Sequence, residues 1–126
     1  MLTISDDQAA LSNLAAALRP FTELAKGTKV VATVPLLQTF LAVAIKPGQT
    51  VSDLAKAAGV RNGTMSRQLA DLSDIGRAGD PGLGLIEQRI NLMDRRHTSN
   101  RLSIKGVALV RQIAGALQGR RLAQAA

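Results

Sequence analysis

Two short runs of apolar residues at helical spacing, separated by a glycine, restrict the possible folds of this 126-residue chain more than any other feature. The first run contains Leu54, Ala57 and Ala58, and the second contains Met65, Leu69 and Leu72. Gly59 and Val60 lie between them and mark a tight break, because glycine readily adopts the backbone conformation that ends a helix. The spacing therefore predicts two short helices that meet at a steep angle, the second running from Arg61 or Asn62 to about Ile75.

Capping signals predict three further helices. Ser5–Gln8 has capping-box spacing and opens an apolar run in which Pro20 either ends the helix or lies within a longer one that continues to Lys26. Thr33 and Ser103 are predicted N-caps of two more helices. The other signals are Pro35 in the first turn of a helix over Val34–Ile45, a turn at Lys46–Gly48, and Thr50 with Asp53 at the start of the first short helix.

A short hairpin is predicted between the paired helices and the last helix. Gly76–Gly84 is a turn-rich loop, longer than most links from a helix to a strand. We predict a strand over Leu85–Ile90, a polar tip over Asn91–Asn100 and a return strand that either begins or ends at Arg101–Leu102. A hairpin that follows two steeply angled helices is the pattern of a winged helix-turn-helix.

The composition fits a mainly helical fold. Only two residues are aromatic, both of them Phe, whereas 46% of the chain is hydrophobic, so Ala, Leu, Val and Ile must fill the core. We predict a mainly α fold with a small β-hairpin wing (α+β). One domain is expected over residues 1–126, in which a lobe at 33–102 lies between terminal helices at 1–32 and 103–126.

The net charge of +7 is concentrated in the later part of the chain. Twelve of the sixteen basic residues, but only six of the nine acidic ones, lie from Thr50 onward. This asymmetry favours a polyanionic partner, and the winged pattern makes duplex DNA the leading candidate. An ordinary solvated surface is the alternative interpretation of the charge alone. Aromatic side chains do not alternate with the arginines, which argues against stacking surfaces for single strands.

Several other classes of function are disfavoured. The chain has no Cys and one His, His97, so we expect no disulfide, no metal site and no cofactor. No Ser or Thr occupies a nucleophile-elbow pattern, and Gly82–Gly84 lacks the length and the Lys of a phosphate-binding fingerprint, so we expect no catalytic residues and no enzyme. No apolar run is long enough to span a bilayer, and the acidic N-terminus is unlike a signal peptide. We therefore expect a cytoplasmic protein that makes no membrane contact.

The terminal helices carry more apolar surface than so small a domain is expected to bury. Leu11, Leu14 and Leu18 repeat at three- and four-residue spacing, and a second stripe runs from Ile104 to Leu117. We predict that these helices of two chains interlock in a homodimer. The alternative is that the two helices cover each other within one chain.

Four segments form an ordered set with regular spacing. They are VSDLAKAAGVRNGTMSRQLADL (51–72), GLIEQR (84–89), DRR (94–96) and LSIKG (102–106). Together they resemble the MarR family of bacterial transcription regulators: its helix-turn-helix, its turn into the wing, its Asp-x-Arg at the wing tip and its entry to the dimerisation helix. Ser103 stands where the family pattern has Thr. The Gly76–Leu83 loop resembles an insertion, and the chain is similar to short members of phage and mobile-element origin.

The resemblance implies a DNA-binding lobe at 33–102 and dimerisation helices at 1–32 and 103–126. It implies that the second helix of the pair enters the major groove and that the wing follows the adjacent minor groove. Arg67 lies off the apolar stripe and can reach a phosphate or a guanine edge, while Arg96 matches the family's wing-tip arginine. The candidate DNA-binding residues are Arg61, Asn62, Gly63, Thr64, Ser66, Arg67, Arg89, Arg95, Arg96 and His97.

The expected function is sequence-specific binding of double-stranded DNA. A homodimeric transcription regulator of this kind reads an inverted repeat, acts in the cytoplasm at the nucleoid, and most commonly represses. The alternative is a winged helix used as a protein-interaction module of a mobile element, without base reading. A ligand-responsive sensor is a third possibility, but no convergent set of polar residues indicates a small-molecule effector.

Overall fold

The computed structural model describes residues 5–76, 79–90, 93 and 98–119. The helices within these residues are α1 (Ser5–Ala25), α2 (Val34–Ile45), α3 (Val51–Ala58), α4 (Asn62–Leu72) and α5 (Ile104–Leu117). The strands are β1 (Gln49–Thr50), β2 (Ile86–Ile90) and β3 (Thr98–Leu102), which form an antiparallel sheet in the order β1-β3-β2. The mainly helical fold with a hairpin wing, predicted from the sequence, is confirmed.

Helix α1 continues through Pro20 to Ala25, which confirms the longer of the two predicted helices. A proline inside a helix removes one backbone hydrogen bond. Burial around the proline offsets that loss, because Ala17, Phe21 and Ala25 lie at four-residue spacing on both sides of it and are all buried. Packing of this face therefore holds the helix together where the local sequence alone would allow it to end.

Helix α2 lies in the centre of the core. Thr33 caps the helix by accepting a hydrogen bond from the Leu36 N–H, and Pro35 lies in the first turn, as predicted. Phe40 is fully buried, and its ring centroid lies 6.4 Å from that of Phe21 on α1. The chain's two aromatic residues therefore join the first helix to the centre of the lobe.

The sheet is larger than the predicted hairpin. Strand β3 runs from Thr98 to Leu102, so Arg101 and Leu102 end the return strand, and the predicted polar tip over Asn91–Asn100 is wrong at its C-terminal end. The additional residues pair with β1, a strand of two residues that the sequence did not predict, as well as with β2. Two residues are too few to produce a recognisable alternation of apolar and polar side chains.

Helix α4 ends at Leu72, three residues before the predicted end at Ile75. The segment that follows turns back and donates backbone N–H groups to the last carbonyls of the helix. The N–H of Leu83 donates to the Asp71 carbonyl at 2.9 Å. The N–H of Leu85 donates to the Leu72 carbonyl at 2.7 Å. These bonds satisfy acceptors that a helix leaves unpaired at its C-terminus, and they end α4 early.

The backbone of Leu85 joins the end of α4 to the start of α5. Its side chain is fully buried, and its carbonyl oxygen accepts a hydrogen bond from the Ser103 N–H at 2.9 Å. Ser103 caps α5 as predicted, accepting from the Gly106 N–H, and its hydroxyl donates to the Gly84 carbonyl at 2.7 Å. A Cβ atom at Gly106 would lie 2.1 Å from the Leu85 carbonyl oxygen, so only glycine fits this contact.

The terminal helices α1 and α5 pack against each other and leave part of their apolar surface exposed. On α5, Leu109 and Ile113 face the core, whereas Ile104 is 91% exposed, so the predicted stripe is only partly buried. The exposed apolar residues of α1 are Leu11, Leu14 and Leu18. Contact between the two helices within one chain is therefore present, and the homodimer stays a prediction.

Replacing Gly82 by Ala is expected to destabilise the fold by about 1–3 kcal/mol. The added Cβ would lie 2.0 Å from the Ser73 carbonyl oxygen and 2.9 Å from that of Ala70, so the loop would have to move away from the end of α4. Gly63→Ala is the control, because a Cβ there meets nothing within 4 Å and alanine favours a helix. Urea unfolding measures both variants. An unfolding midpoint of Gly82→Ala equal to that of the parent would contradict the close packing of the loop.

Candidate nucleic-acid interface

The turn between α3 and α4 sets the direction in which α4 begins. Thr50 accepts a hydrogen bond from the Asp53 N–H at 3.1 Å, and the Asp53 carboxylate accepts one from the Thr50 N–H at 3.3 Å, which confirms the capping signal. Gly59 ends α3 with φ at +70°, a conformation that residues with a side chain disfavour. The Val60 N–H then donates to the Ala55 carbonyl at 3.0 Å, so the turn is held by backbone bonds on both sides of the glycine.

Helix α4 has one buried side and a polar exposed side. Met65, Leu69 and Leu72 are buried, as their spacing predicts. The predicted DNA-binding residues of this region are all exposed: Arg61, Asn62, Gly63, Thr64, Ser66 and Arg67. The apolar stripe therefore anchors the helix while its N-terminal half presents short polar side chains and guanidinium groups to solvent.

The N-terminus of α4 is tied to α3. Arg61 occupies the N-cap position, where its side chain makes no capping hydrogen bond. The Asn62 amide donates to the Ser52 hydroxyl on α3 at 3.2 Å, so a predicted base-contact residue also links the two helices. Backbone N–H groups at a helix N-terminus and short polar side chains are groups that bind phosphates and base edges.

A buried polar contact that sequence reasoning missed connects α2 to the middle of α4. Thr39 is only 4% exposed, and its hydroxyl donates to the side-chain carbonyl oxygen of Gln68. Gln68 directly follows Arg67, so this contact restricts the rotation of α4 next to a predicted DNA-binding residue. In the sequence, this contact is indicated only by a polar Thr within the apolar helix α2, and that signal does not identify Gln68 as the partner.

The predicted wing residues are only partly described. Arg89 lies on β2, is exposed, and pairs in register with Ser99 of β3. Arg95, Arg96 and His97 lie outside the described residues, so their DNA contacts stay predictions. Within the described chain the structure therefore provides two separate surfaces, one on α4 and one on β2.

The described surface of the helix-turn-helix and wing is basic. Its exposed cations include Lys56 on α3, Arg61 and Arg67 at α4, and Arg89 on β2. The ion pairs identified among the described residues involve other cations: Lys26 with Glu23 at 2.9 Å, and Lys29 with Asp80 at 3.3 Å. Exposed ammonium and guanidinium groups attract phosphates and release the counterions around a nucleic acid.

Neither a metal centre nor a membrane-spanning helix occurs among the described residues. No group of three or more His, Asp or Glu side chains in these ranges is placed to hold a metal ion. The helices of the same ranges are too short or too polar to cross a membrane.

The order of the elements defines the structural class. Helices α3 and α4 form a helix-turn-helix, and the hairpin β2–β3, with β1 beside it, forms a wing that follows in the chain. The chain is therefore a winged helix-turn-helix protein.

No protein-family model and no curated protein matches the sequence. Solved structures do match, and they define the fold more narrowly. The chain is similar to MarR, with a TM-score of 0.61 and 19% identity over 90% of this chain and 72% of that chain. It is similar to MepR of S. aureus in a DNA complex, with a TM-score of 0.65 and 20% identity over 92% and 80% of the two chains. It is also similar to the transcriptional repressor CouR bound to a 23-mer DNA duplex, with a TM-score of 0.60 and 18% identity over 95% and 81%. The fold is a MarR-like winged helix.

The Thr39→Val substitution is expected to destabilise the protein by about 1–2 kcal/mol, because it leaves the Gln68 carbonyl oxygen without its donor. Adding Gln68→Leu should recover most of that loss, since the polar groups are then removed together. Thr64→Val, at an exposed position of α4, is the matched control and should change stability by less than ~0.5 kcal/mol. Urea unfolding compares the variants. Equal stability of Thr39→Val and Thr64→Val would show that the contact contributes nothing.

Proposed function

We propose that this chain is a sequence-specific, double-stranded DNA-binding transcription regulator, acting as a repressor. The observation that carries the proposal is the pairing, on α4, of a buried apolar stripe with an exposed N-terminal half that contains Thr64, Ser66 and Arg67. A helix anchored in this way can enter a major groove with its first residues against the bases. MepR and CouR, whose structures resemble this one, were solved as DNA complexes.

In the proposed complex, α4 supplies the base contacts. Arg67 reaches a guanine edge or a phosphate, whereas Asn62, Thr64 and Ser66 contact base edges or phosphates near the helix N-terminus. Arg61 binds phosphate at the entrance to the groove. Gly63 carries no side chain and lets the backbone approach the DNA closely.

The wing is proposed to supply a second contact. Arg96 enters the adjacent minor groove, where a narrow groove has the most negative potential. Arg95 and His97 contact phosphates beside it, and Arg89 supports the base of the wing. The exposed position of Arg89 on β2 is compatible with this role.

We further propose that two chains form a homodimer through residues 1–32 and 103–126, with residues 33–102 as the DNA-binding lobe. The exposed side chains of Leu11, Leu14 and Leu18 on α1 support this assignment, because a partner would remove them from water. A two-fold dimer reads an inverted repeat whose half-sites lie about one helical turn apart, ~34 Å or ~10 bp.

The regulator is proposed to act in the cytoplasm at the nucleoid, as a binding protein rather than an enzyme. A protein-interaction module of a mobile element is the alternative function, but it does not require exposed arginines on both α4 and β2. Nothing in the described residues identifies a small-molecule effector, so regulation by DNA affinity alone is the simplest form of the proposal.

Fluorescence anisotropy with a duplex from upstream of the protein's own gene tests the function directly. We expect tighter binding to this duplex than to a scrambled duplex, at two salt concentrations, with both affinities falling as salt rises because phosphate contacts release counterions. Equal and weak binding to both duplexes, or none, would favour the protein-interaction module.

Arg67→Ala is expected to weaken specific binding by ~1–3 kcal/mol and to reduce the preference for the specific duplex, because it removes a base-reading group. Arg95→Ala should instead weaken binding to all duplexes about equally, because it removes a phosphate contact. The same anisotropy assay measures both. Unchanged specific affinity of Arg67→Ala would reject its place in the recognition surface.

Leu14→Glu is expected to convert the dimer to a monomer at micromolar concentration, because it places a charge in the proposed apolar interface. Light scattering after size-exclusion chromatography measures the mass. Ile75→Glu is the matched control, since Ile75 is an exposed apolar residue outside the terminal helices, and it should remain dimeric. A monomeric mass for the parent protein would reject the dimer.

A further inference from the structure

Asn100 lies at the centre of the sheet and is fully buried. It belongs to β3, the middle strand, and pairs in register with Gln49 of β1 on one side and with Gln88 of β2 on the other. Burial of a polar side chain in a small sheet is costly unless its hydrogen bonds are satisfied, so the partners of Asn100 must be identified.

The side chain of Asn100 bonds to both neighbouring strands. Its amide Nδ2 donates to the Gln49 backbone carbonyl at 3.0 Å, and its Oδ1 accepts from the Gln88 Nε2 at 3.0 Å. Its backbone carbonyl accepts from the Gly48 N–H at 2.8 Å. One residue therefore joins the wing to the segment that leads directly into α3.

The apolar pattern of the wing specifies strand register only weakly. On β2, Ile86 is buried, whereas the four residues from Glu87 to Ile90 are exposed. Register is well specified when many apolar side chains must share one face, and it is weakly specified in short polar strands. The polar contacts of Asn100 therefore specify the strand register that the apolar pattern leaves undetermined.

A slip of β3 by one residue would place Ser99 or Arg101 between Gln49 and Gln88. The Ser hydroxyl is shorter than the Asn carboxamide, and the Arg guanidinium only donates, so neither reproduces one bond donated to Gln49 together with one accepted from Gln88. Only the carboxamide of Asn100 provides one donor and one acceptor at this length. A single buried Asn sets register in the same way in coiled coils.

The register matters because it spans the candidate interface. The row of residues next to Asn100 runs across the sheet from Thr50 to Ser99 to Arg89. Thr50 is the N-cap of α3, and Arg89 is an exposed cation on β2. A fixed register therefore fixes the position of Arg89 relative to the helix-turn-helix.

We propose that Asn100, through Gln88 and Gln49, is a positioning residue that sets the register of the wing, so that the wing and α4 reach DNA at a fixed separation. This inference rests on the proposed DNA-binding function for its biological role, but the positioning itself can be measured without DNA.

Spin labels measure the positioning directly. The chain contains no Cys, so Lys56→Cys on α3 and Glu87→Cys on β2 give two defined label sites. Dilution with unlabelled protein isolates the distance within one chain. We expect a single narrow distance distribution in the labelled parent, and a broadened or divided one after Gln88→Ala or Asn100→Leu. Ser99→Ala, on the opposite face of β3, is the control and should leave the distribution narrow.

DNA binding tests the role of that position. We expect Gln88→Ala to weaken specific binding roughly three- to tenfold, the loss that corresponds to one hydrogen bond. The effects of Gln88→Ala or Asn100→Leu should be less than additive with Arg89→Ala, because all three substitutions act on the position of the wing. The losses of affinity caused by Gln88→Ala or Asn100→Leu should be additive with the loss caused by Arg67→Ala, since other contacts hold α4 in place.

The outcomes separate the two proposals. Unchanged distance distributions in folded Gln88→Ala and Asn100→Leu would overturn the positioning role, as would equal additivity with Arg89→Ala and Arg67→Ala. Gln88→Ala alone decides the matter if Asn100→Leu fails to fold. Failure of the parent to prefer any duplex would instead overturn the DNA-binding function, while the distances would still report on the register.

Discussion

The described fold depends on the backbone of one residue, Leu85. Its N–H donates to the carbonyl of Leu72 at the end of α4, its carbonyl accepts from the N–H of Ser103, the N-cap of α5, and its side chain is fully buried. Both bonds are made by the main chain, and the carbonyl also requires a glycine beside it at position 106. Helices α4 and α5 are therefore held at a fixed relation by main-chain hydrogen bonds.

Two elements of the candidate interface are built in different ways. Helix α4 is held by apolar packing through Met65 and Leu69, with polar links at Asn62 and Gln68 that restrict its rotation. The apolar packing of the wing is confined to its base, where Ile86 pairs with Leu102, and the rest depends on hydrogen bonds across a small sheet. Hydrogen bonds are directional, whereas apolar contacts are not. The wing thus gains a defined position with very little buried surface.

The sequence predicted those parts of the fold that depend on neighbouring residues. The caps at Thr33, Thr50 and Ser103 and the buried stripe of α4 were predicted, because both signals are contained within one helix. Strand β1 and the role of Asn100 were not, since Asn100 and its partner Gln49 are 51 residues apart and neither shows a periodic pattern. The early end of α4 was missed for the same reason. At the candidate site, the exposed face of α4 could be predicted because it lies opposite the apolar stripe. The contacts of Thr39 and Asn62 could not, because they depend on how the helices pack against each other.

The contact between Leu85 and Gly106 also explains why two short motifs occur together. The segment 84–89 supplies the carbonyl, and the segment 102–106 supplies both the cap and the glycine that lies against it. Any side chain at position 106 would require the backbone before β2 to move. The two segments are therefore one structural unit, in which the constraint of this contact falls on position 106 and not on the side chain at position 85, because any residue at position 85 presents the same carbonyl.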